Sequence, residues 1–461
     1  MKVNKLMFRE YDIRGIYGED IDEEVSYLIG KAFASKLTKL GLNKTVLAHD
    51  NRLSSPIIKE NLLKGLIDSG ITVYDLGLAS TPMCYFATNY YNVNTSMMIT
   101  ASHNPKEYNG FKFSYNGIHN AFGEQVREIY DIIEKKDFVD GQGKVIPKDI
   151  RSEYIKLLTS NIKLGKRKIK VVYDCGNGTT SIIADDIFKQ LNVDAIPLYN
   201  ISDGSFPNHH PDPCVEENNK DLKDMVIKNK ADLGVGFDGD GDRVGVIDEK
   251  GNMIDIDKYM IIMWRYLCDK VNKKEGFFDV KCTKALEDEL IKLGIKPVET
   301  RTGNSYTRKI SHDGNYPLGG ELSGHVYYRD KFPGYDDGIY AGLRIVERLS
   351  HTNEKLSELL NGINKYYSTK ELKIQVEDSE KFKIIDKVKE YAISKNYNIV
   401  TLDGVKVKFD DGFALVRASN TGPNITMRYE GNTKIRLKEI EDEFNSVVNK
   451  IINKGVDKNV I

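Results

Sequence analysis

Three stretches of the chain share one alternation of hydrophobic and polar segments. Each begins with a short apolar run: TVLAHD from Thr45, IKVVYD from Ile169 and GFFDV from Gly276. A polar turn follows, then aliphatic residues at helical spacing, then a second apolar run after a glycine or asparagine. Apolar runs bounded by turn residues are typical of buried strands, and spacings of three and four are typical of helices. The pattern predicts three strand–helix–strand units.

The spacing of aliphatic residues defines two of these helices most clearly. Ser55-Pro56 is a typical helix start and Gly294 a typical helix end. Units of this length favour right-handed crossovers and parallel sheets with covered faces. The side chains expected on the buried faces are Ile58, Leu62, Leu66, Leu286, Leu290 and Leu293.

The C-terminal stretch follows a different pattern. After NGINKYYSTKEL the chain reads as a strand at LKIQVED, a helix, further strands including FALVRAS, and a long amphipathic helix from about Lys434. The fold class predicted is α/β, with three similar mixed α/β domains and a smaller α+β domain at the C-terminus. The predicted boundaries are 1–148, 149–250, 251–367 and 368–461.

Composition and charge exclude several classes of protein. The 461 residues are 40% hydrophobic and 29% charged with a net charge of -1, so bulk electrostatics indicate no nucleic acid partner. The most apolar stretch, YMIIMWRYLC, is interrupted by Arg265, which argues against a membrane span. The five cysteines form no CxxC pair, and the N-terminus lacks the apolar run of a secretory signal. We therefore expect a cytoplasmic protein.

The segment LGVGFDGDGDRVGVID places Asp238, Asp240 and Asp242 at every second position of a glycine-spaced loop. Carboxylates this close repel one another unless a hard cation lies among them, and oxygen ligands suit Mg²⁺ or Ca²⁺. An EF-hand is disfavoured because Arg243 stands where that loop needs glycine and both flanks read as strands. A solvated acidic turn is the remaining alternative. A magnesium site in turn suggests phosphate chemistry.

VRASNTGPN is a candidate phosphate-binding loop. Arg417 offers a fork of donors, and Ser419, Asn420 and Thr421 add hydroxyl and amide donors. An ordinary polar turn fits the same composition equally well.

LGGELSGHVYYRDKF is a candidate sugar-binding loop. Glu321 and Ser323, two positions apart, can form hydrogen bonds to adjacent hydroxyl groups of a sugar, and His325 follows in the same loop. A solvated polar loop is the alternative interpretation.

MMITASHNPKEYNGFK contains Ser102 at the end of an apolar run. A serine hydroxyl is a poor nucleophile, but a phosphoserine is a phosphoryl donor whose negative charge needs a cation. The aspartate loop could supply the cation, and Lys112 and Arg14 could supply further positive charge. Without the other motifs, Ser102 would read as an ordinary turn or N-cap serine.

Together these motifs resemble the α-D-phosphohexomutase superfamily, within it the bacterial phosphomannomutase/phosphoglucomutase group. FREYDIRG, TASHNP with YNGFK, DGDGDR, GGELSGH and RASNTGP occur in the family order along the whole chain. FPNHHPDP and CGNG are also similar to family signatures. The resemblance implies four domains around a central cleft, the first three of one topology.

The resemblance also implies a role for each motif residue. Ser102 would be the phosphoserine and would bind Mg²⁺ together with Asp238, Asp240 and Asp242. Arg14, Lys112 and Arg243 would lie beside the transferring phosphoryl group and the metal. The substrate-binding residues would be Tyr11, Lys281, Asn304, Glu321, Ser323, His325, Arg417, Ser419, Asn420 and Thr421.

The implied reaction is a double phosphoryl transfer between hexose phosphates. Phosphoserine would convert the monophosphate into a hexose 1,6-bisphosphate, which turns end for end and returns the other phosphoryl group. One departure is Asn304, where relatives often carry a histidine, because asparagine cannot shuttle a proton near neutral pH. The proton's carrier is then Lys112, Glu321, His325 or water, or the sugar preference differs.

Three alternatives stand beside this reading. A phosphoglucosamine mutase usually shows DNG after the serine loop and glutamine in the sugar loop, where this chain has YNGFK and GGELSGH. A magnesium-dependent phosphatase or phosphotransferase could use the same serine. A non-enzymatic sugar-phosphate binder would need none of the metal loop. Glucose against mannose preference, and monomer against dimer, stay open.

Overall fold

The first unit is a six-stranded mixed sheet flanked by helices. The computed structural model describes residues 3–419 and 422–454, and the sheet order here is β1-β5-β4-β2-β3-β6. Its elements are β1 (Ile13–Ile16), α1 (Glu23–Lys39), β2 (Lys44–His49), α2 (Ser55–Ile67), β3 (Thr72–Leu78), α3 (Thr81–Tyr90), β4 (Ser96–Ile99), β5 (Tyr108–Ser114), α4 (Glu124–Lys135) and β6 (Lys144–Pro147).

The second unit is a five-stranded sheet with the order β11-β10-β9-β7-β8. Its elements are α5 (Arg151–Ser160), β7 (Lys170–Asp174), α6 (Ala184–Gln190), β8 (Asp194–Leu198), α7 (Lys220–Asn229), β9 (Leu233–Phe237), β10 (Val244–Asp248) and β11 (Met253–Ile254).

The third unit has the sheet order β13-β12-β14-β15. Its elements are α8 (Ile256–Leu267), β12 (Glu275–Asp279), α9 (Lys284–Lys292), β13 (Lys296–Thr300), α10 (Asn304–Gly314), β14 (Leu318–Gly320), β15 (Val326–Tyr328) and α11 (Gly338–Ser350).

The C-terminal unit is an antiparallel sheet packed against two helices, as its sequence pattern predicts. Its elements are β16 (Tyr367–Ser368), β17 (Leu372–Gln375), α12 (Lys381–Ser394), β18 (Asn398–Val400), β19 (Val405–Phe409), β20 (Gly412–Ala418), β21 (Asn424–Gly431) and α13 (Lys434–Lys454). Short 3₁₀ helices lie at Lys5–Met7, Thr179–Ile182, Glu216–Asn219 and Leu356–Leu360.

The predicted repeat is confirmed. The pairs β2–β3, β7–β8 and β12–β13 are parallel, each joined through a helix at the predicted place. The predicted faces of α2 and α9 are buried, except that Leu293 lies just beyond the end of α9 and is half-buried. The three sheets share one order of four neighbouring strands: β5-β4-β2-β3 in the first, β10-β9-β7-β8 in the second and β15-β14-β12-β13 in the third.

The expectation of parallel sheets needs one correction. In each α/β unit the central strand continues into an antiparallel partner, in the pairs β4–β5, β9–β10 and β14–β15. A hairpin loop needs far fewer residues than a crossover, which is why short motif loops join these strands. Among the described residues, no helix combines the length and apolar character that a membrane crossing requires.

Candidate active site

Three of the predicted motifs occupy equivalent places in the three α/β units. The serine loop (residues 100–107) joins β4 to β5, the metal loop (238–243) joins β9 to β10, and the sugar loop (321–325) joins β14 to β15. The loops meet in space. Ser102 Oγ donates to Asp238 Oδ2 at 2.8 Å, and His325 Nδ1 lies 3.6 Å from Asp242 Oδ1. The repeated topology therefore brings three distant sequence motifs to one place.

Ser102 is held in an uncommon backbone conformation. Its φ is +51°, in the left-handed region that non-glycine residues rarely adopt, and its amide donates to Thr100 Oγ1 at 2.9 Å. The side chain is buried, and His103 Nδ1 lies 3.2 Å from the hydroxyl. Burial, reinforced by neighbouring cations, holds the pKa of His103 well below its usual value, so this imidazole is neutral.

The three aspartates of the metal loop are fully buried. Burial raises the pKa of Asp238, and the charges of Asp240 and Asp242 raise it further. Lys112 Nζ donates to Asp240 Oδ2 at 2.7 Å and to Asp242 Oδ2 at 2.6 Å. Among the described residues, the Oδ1 atoms of Asp240 and Asp242 have no hydrogen-bond partner. Buried carboxylate oxygens without partners, beside a serine hydroxyl, are the donor set that suits Mg²⁺.

Local contacts explain how the metal loop keeps its shape. Asp238 Oδ1 accepts from the amides of Gly241 and Arg243 at 3.0 and 3.1 Å, and Gly241 has a φ of +81° that favours glycine. A Cβ on Gly239 would lie 2.8 Å from the carbonyl oxygen of Ser102. The glycines of DGDGDR therefore permit the close approach of the serine loop.

Glu321 and His325 of the sugar loop are buried, and Ser323 is half-buried. Glu321 accepts hydrogen bonds from Thr307 Oγ1, from Ser323 Oγ at 3.2 Å and from the amide of Gly303 at 3.3 Å. Burial raises the pKa of the Glu321 carboxyl. A glutamate and a histidine this deeply buried are atypical of a solvated turn.

His325 and Asn304 form a cluster with Asp336. His325 Nδ1 lies 2.7 Å from Asp336 Oδ2, and Asn304 Nδ2 donates to the same carboxylate and lies 3.3 Å from the ring nitrogen. Burial alone lowers the pKa of His325, but Asp242 and Asp336 outweigh it and raise that pKa. Asn304, the first residue of α10, thus stands beside the histidine of the sugar loop.

The predicted cationic residues Arg14 and Arg243 contact the serine and metal loops, and the predicted substrate-binding Lys281 lies elsewhere. Arg14 donates to Asn104 Oδ1 of the serine loop at 2.7 Å, and Arg243 Nε lies 3.8 Å from Asp238 Oδ2. Lys281 lies farther along the third unit, 3.7 Å from Asp279 and 3.6 Å from Glu371.

Arg417 of the phosphate loop is linked to Thr302 of the third unit through Asp403. Arg417 Nε and Nη2 both lie 3.0 Å from Asp403 Oδ2, which also accepts from the amide of Thr302 at 3.1 Å. Tyr11 of the first unit donates to the carbonyl oxygen of Thr302 at 2.7 Å. Ser419 donates its amide to the carbonyl of Asn424. The predicted residues Asn420 and Thr421 lie outside the described residues.

Sequence reasoning missed several polar residues that contact these loops. Thr81 donates its hydroxyl and amide to Asp240, and Asp336, Asp403 and Arg52 contact the sugar, phosphate and serine loops. Asp336 directly precedes Asp337, the N-cap of α11, so its one local signal was that of a helix start.

Models of one family match successive parts of the chain. They describe phosphoglucomutase/phosphomannomutase alpha/beta/alpha domains I, II and III at residues 5–140, 152–251 and 255–366, and the C-terminal domain at 371–447.

Curated relatives and solved structures agree. The chain is 38% identical to the phosphomannomutase/phosphoglucomutase of Pseudomonas putida over 438 residues, 95% of this chain and 94% of that protein. It is 38% identical to a phosphoglucomutase of Neisseria meningitidis over 449 residues, 96% of each. A phosphoglucomutase/phosphomannomutase family protein from Burkholderia thailandensis has a TM-score of 0.91 at 35% identity, covering 97% and 98% of the two chains. The chain therefore belongs to the phosphoglucomutase/phosphomannomutase family.

Proposed function

We propose that the protein is a phosphohexomutase that interconverts the 1-phosphate and 6-phosphate of glucose, mannose or both. The observation that carries this proposal is the 2.8 Å contact between Ser102 Oγ and Asp238, with Lys112 bound to the other two aspartates. A hydroxyl among buried carboxylates and a buried ammonium suits a phosphoryl group that is carried on serine and neutralised there.

Asp238, Asp240, Asp242 and an oxygen on Ser102 would hold Mg²⁺. The ion, when bound, neutralises phosphoryl oxygens and so supplies electrostatic stabilisation of the transfer. Lys112, Arg14 and Arg243 add positive charge on the sides of the serine loop and the metal loop.

The reaction proceeds in two transfers. In the first, the bond from phosphorus to Ser102 Oγ breaks and the free hydroxyl of the sugar phosphate forms a new bond to phosphorus, losing its proton. The proton of the sugar hydroxyl passes to Lys112, Glu321, His325 or water, and Ser102 Oγ takes up a proton as it leaves. In the second, the hexose 1,6-bisphosphate has turned end for end, and its other phosphoryl group returns to Ser102.

The non-transferring phosphate is bound at the phosphate loop by Arg417, Ser419, Asn420 and Thr421, with Lys281 on the facing unit. Glu321 and Ser323 bind sugar hydroxyls, with Tyr11, Asn304 and His325 beside them. An arginine fork recognises phosphate from either end of the sugar equally, which the reversal of the intermediate requires. The C-terminal unit moves to allow that reversal.

A mutase assay tests the proposal. Purified protein with Mg²⁺ and a trace of glucose 1,6-bisphosphate is offered glucose 1-phosphate, mannose 1-phosphate and glucosamine 1-phosphate separately, and each 6-phosphate is measured. We expect fast conversion of one or both of the first two. Faster conversion of glucosamine 1-phosphate would reassign the substrate, and release of inorganic phosphate without isomerisation would replace the mutase with a phosphatase.

A further inference from the structure

Arg52 lies beneath the serine loop with no solvent-exposed side-chain surface. It occupies the turn between β2 and α2, in the segment HDNRLSSP. Its guanidinium donates to four main-chain carbonyl groups of residues 102–108, and Nε lies 3.2 Å from Asp50 Oδ2. The four acceptors are Ser102 O at 2.8 Å, Asn104 O at 2.7 Å, Pro105 O at 2.6 Å and Tyr108 O at 3.0 Å.

The hydrogen bonds from Arg52 satisfy main-chain carbonyl groups of the serine loop. Inward-facing carbonyl groups of a short loop need hydrogen-bond donors. Pro105 O also accepts from the amide of Tyr108 at 3.0 Å, and Arg52 is the side chain that donates to all four carbonyl groups. The planar guanidinium, with five donors in a fixed fork, does so from a single position, whereas an ammonium group is a point donor. The same loop holds Ser102 at a φ of +51°. The hydrogen bonds from Arg52, called the clamp below, therefore also maintain a backbone conformation that serine rarely adopts.

The second unit covers the clamp. The ring of Phe206, from the FPNHHPDP segment, lies 5.4 Å from the guanidinium carbon, and Gly204 pairs with Arg52 through a β-bridge. A Cβ on Gly239 would meet both Ser102 O at 2.8 Å and Phe206 Cζ at 3.6 Å. Arg52 is therefore fixed at the junction of the serine loop, the metal loop and the FPNHHPDP segment.

We propose that Arg52 is a positioning residue: it holds the backbone of residues 102–108 so that Ser102 Oγ faces Asp238. This inference rests on the proposed function in so far as it predicts kinetics. Its structural part, control of the serine loop by Arg52, is tested without reference to activity.

The test variant is Arg52→Lys, which keeps a positive charge beside Asp50 and removes the planar guanidinium that donates to the four carbonyl groups. For glucose 1-phosphate we expect kcat to fall about 100-fold, because small misplacements of reacting groups cost that much. KM should stay within about twofold, since the phosphate loop is untouched. An unfolded fraction would also lower the apparent kcat at constant KM, so the folded fraction of Arg52→Lys is measured by circular dichroism and kcat is calculated per folded enzyme.

Arg265→Lys is the matched control. Arg265 Nη1 also donates to two carbonyl oxygens, of Leu359 at 2.8 Å and Asn361 at 3.0 Å, and its Nε donates to Glu289. It lies in the third unit away from the serine loop, so kcat should be unchanged.

Hydrogen exchange measured by mass spectrometry supplies the second readout. Peptides covering residues 100–110 should exchange faster in Arg52→Lys, while peptides from α1 should match wild type. Unchanged exchange, or a kcat within about twofold of wild type, overturns the inference. If wild type converts no sugar phosphate, the proposed function fails and the exchange result alone decides on Arg52. If Arg52→Lys does not fold, Phe206→Leu, which leaves the arginine in place, should accelerate exchange in the same peptides, and unchanged exchange there overturns the clamp.

Discussion

At the scale of single residues, the site is a cluster of buried charges, each of which would be energetically unfavourable without an opposite charge beside it. Asp238, Asp240 and Asp242 are completely buried, and Lys112 reaches only two of them through hydrogen bonds. Buried charges are tolerated when they are paired, and the carboxylate oxygens to which no described residue donates mark where a further cation would fit. Ser102 is the hydroxyl that completes this set.

Ser102→Ala should remove nearly all mutase turnover, because the phosphoryl donor is lost. The measurement is the initial rate with glucose 1-phosphate and glucose 1,6-bisphosphate. Ser35→Ala, at a buried serine of α1 that donates to the carbonyl of Lys31, is the control and should retain activity. Activity of Ser102→Ala within tenfold of wild type would contradict a covalent mechanism.

Arg417→Ala should mainly raise KM for the sugar phosphate, by roughly 10-fold to 100-fold, because a charge-assisted contact to phosphate is worth about 1.5–3 kcal/mol in ground and transition states alike. Arg436→Ala removes an arginine that pairs with Asp411 and Glu439 in the same unit, and it should leave KM unchanged. A fall in kcat at constant KM would argue for a different role of Arg417.

At the scale of elements, two helix features depend on tertiary contact. Helices α1 and α2 cross at glycines: a Cβ on Gly30 would lie 2.3 Å from Leu62 O, and one on Gly65 would lie 2.3 Å from Tyr27 O. Helix α11 begins at the buried N-cap Asp337, whose side chain accepts from the amide of Tyr340 and the hydroxyl of Tyr154. Glycine otherwise weakens a helix, so close backbone approach explains its presence here.

Gly30→Ala should destabilise the protein by about 1–3 kcal/mol, because overpacking against a backbone carbonyl outweighs the gain in helix propensity. Gly342→Ala in α11 is the matched control, since its Cβ would meet Phe237 at an ordinary 3.4 Å. That substitution should be neutral or stabilising by up to about 1 kcal/mol. Chemical denaturation measures both, and equal effects would refute the crossing argument.

Asp337→Asn should stabilise the protein at alkaline pH. Burial raises the pKa of Asp337 to about 7 from 3.8. Between these values the folded state binds more protons than the unfolded state, so the unfolding free energy of wild type falls as pH rises. The slope from this group is at most about 1.4 kcal/mol per pH unit. Asparagine can still cap the helix but does not titrate. The free energy of unfolding of Asp337→Asn relative to wild type, measured by chemical denaturation, should therefore rise from pH 4 to pH 7. A difference that stays constant with pH would contradict this.

At the scale of the whole molecule, the α/β units are continuous and the C-terminal unit is separate. One hydrophobic core runs from Val46 in the first unit through Val235 to Leu343 in the third. The C-terminal unit has its own core around Phe444. A small contact of Val280 with Phe413 and Leu415, and ion pairs such as Lys406 with Glu299, join it to the third unit. This division suits a unit that moves over a fixed site.

Mg²⁺ should raise the melting temperature, because its proposed ligands come from the first and second units and binding favours the folded state. At 100 times the dissociation constant the gain is about 2.7 kcal/mol. Asp242→Asn should lose most of this shift, and NaCl at equal ionic strength should not reproduce it. Chelation should abolish turnover reversibly. An identical shift in Asp242→Asn would place the ion elsewhere.

Much of the fold could be predicted because its determinants are local. The faces of α2 and α9, the start at Ser55 and the end before Gly294 follow from spacing and turn chemistry, and the structure confirms them. The predicted domain boundaries stay a prediction; β11, beyond the boundary at residue 250, pairs with β10 of the second sheet. The antiparallel strands were missed because pairing direction depends on sheet order, which no local pattern encodes.

The sequence by itself determined the elements, the three repeats and the motif loops, since hydrophobic periodicity and turn residues act over a few positions. The tertiary structure alone decided which loops meet. Ser102 and Asp238 are 136 residues apart, and Thr302 and Asp403 are 101 apart. It also decided that Arg52 contacts the serine loop and that Asp336 contacts the sugar loop. Such contacts arise from sheet order and the packing of units, so their physical cause lies in the assembled chain and in no single segment of it.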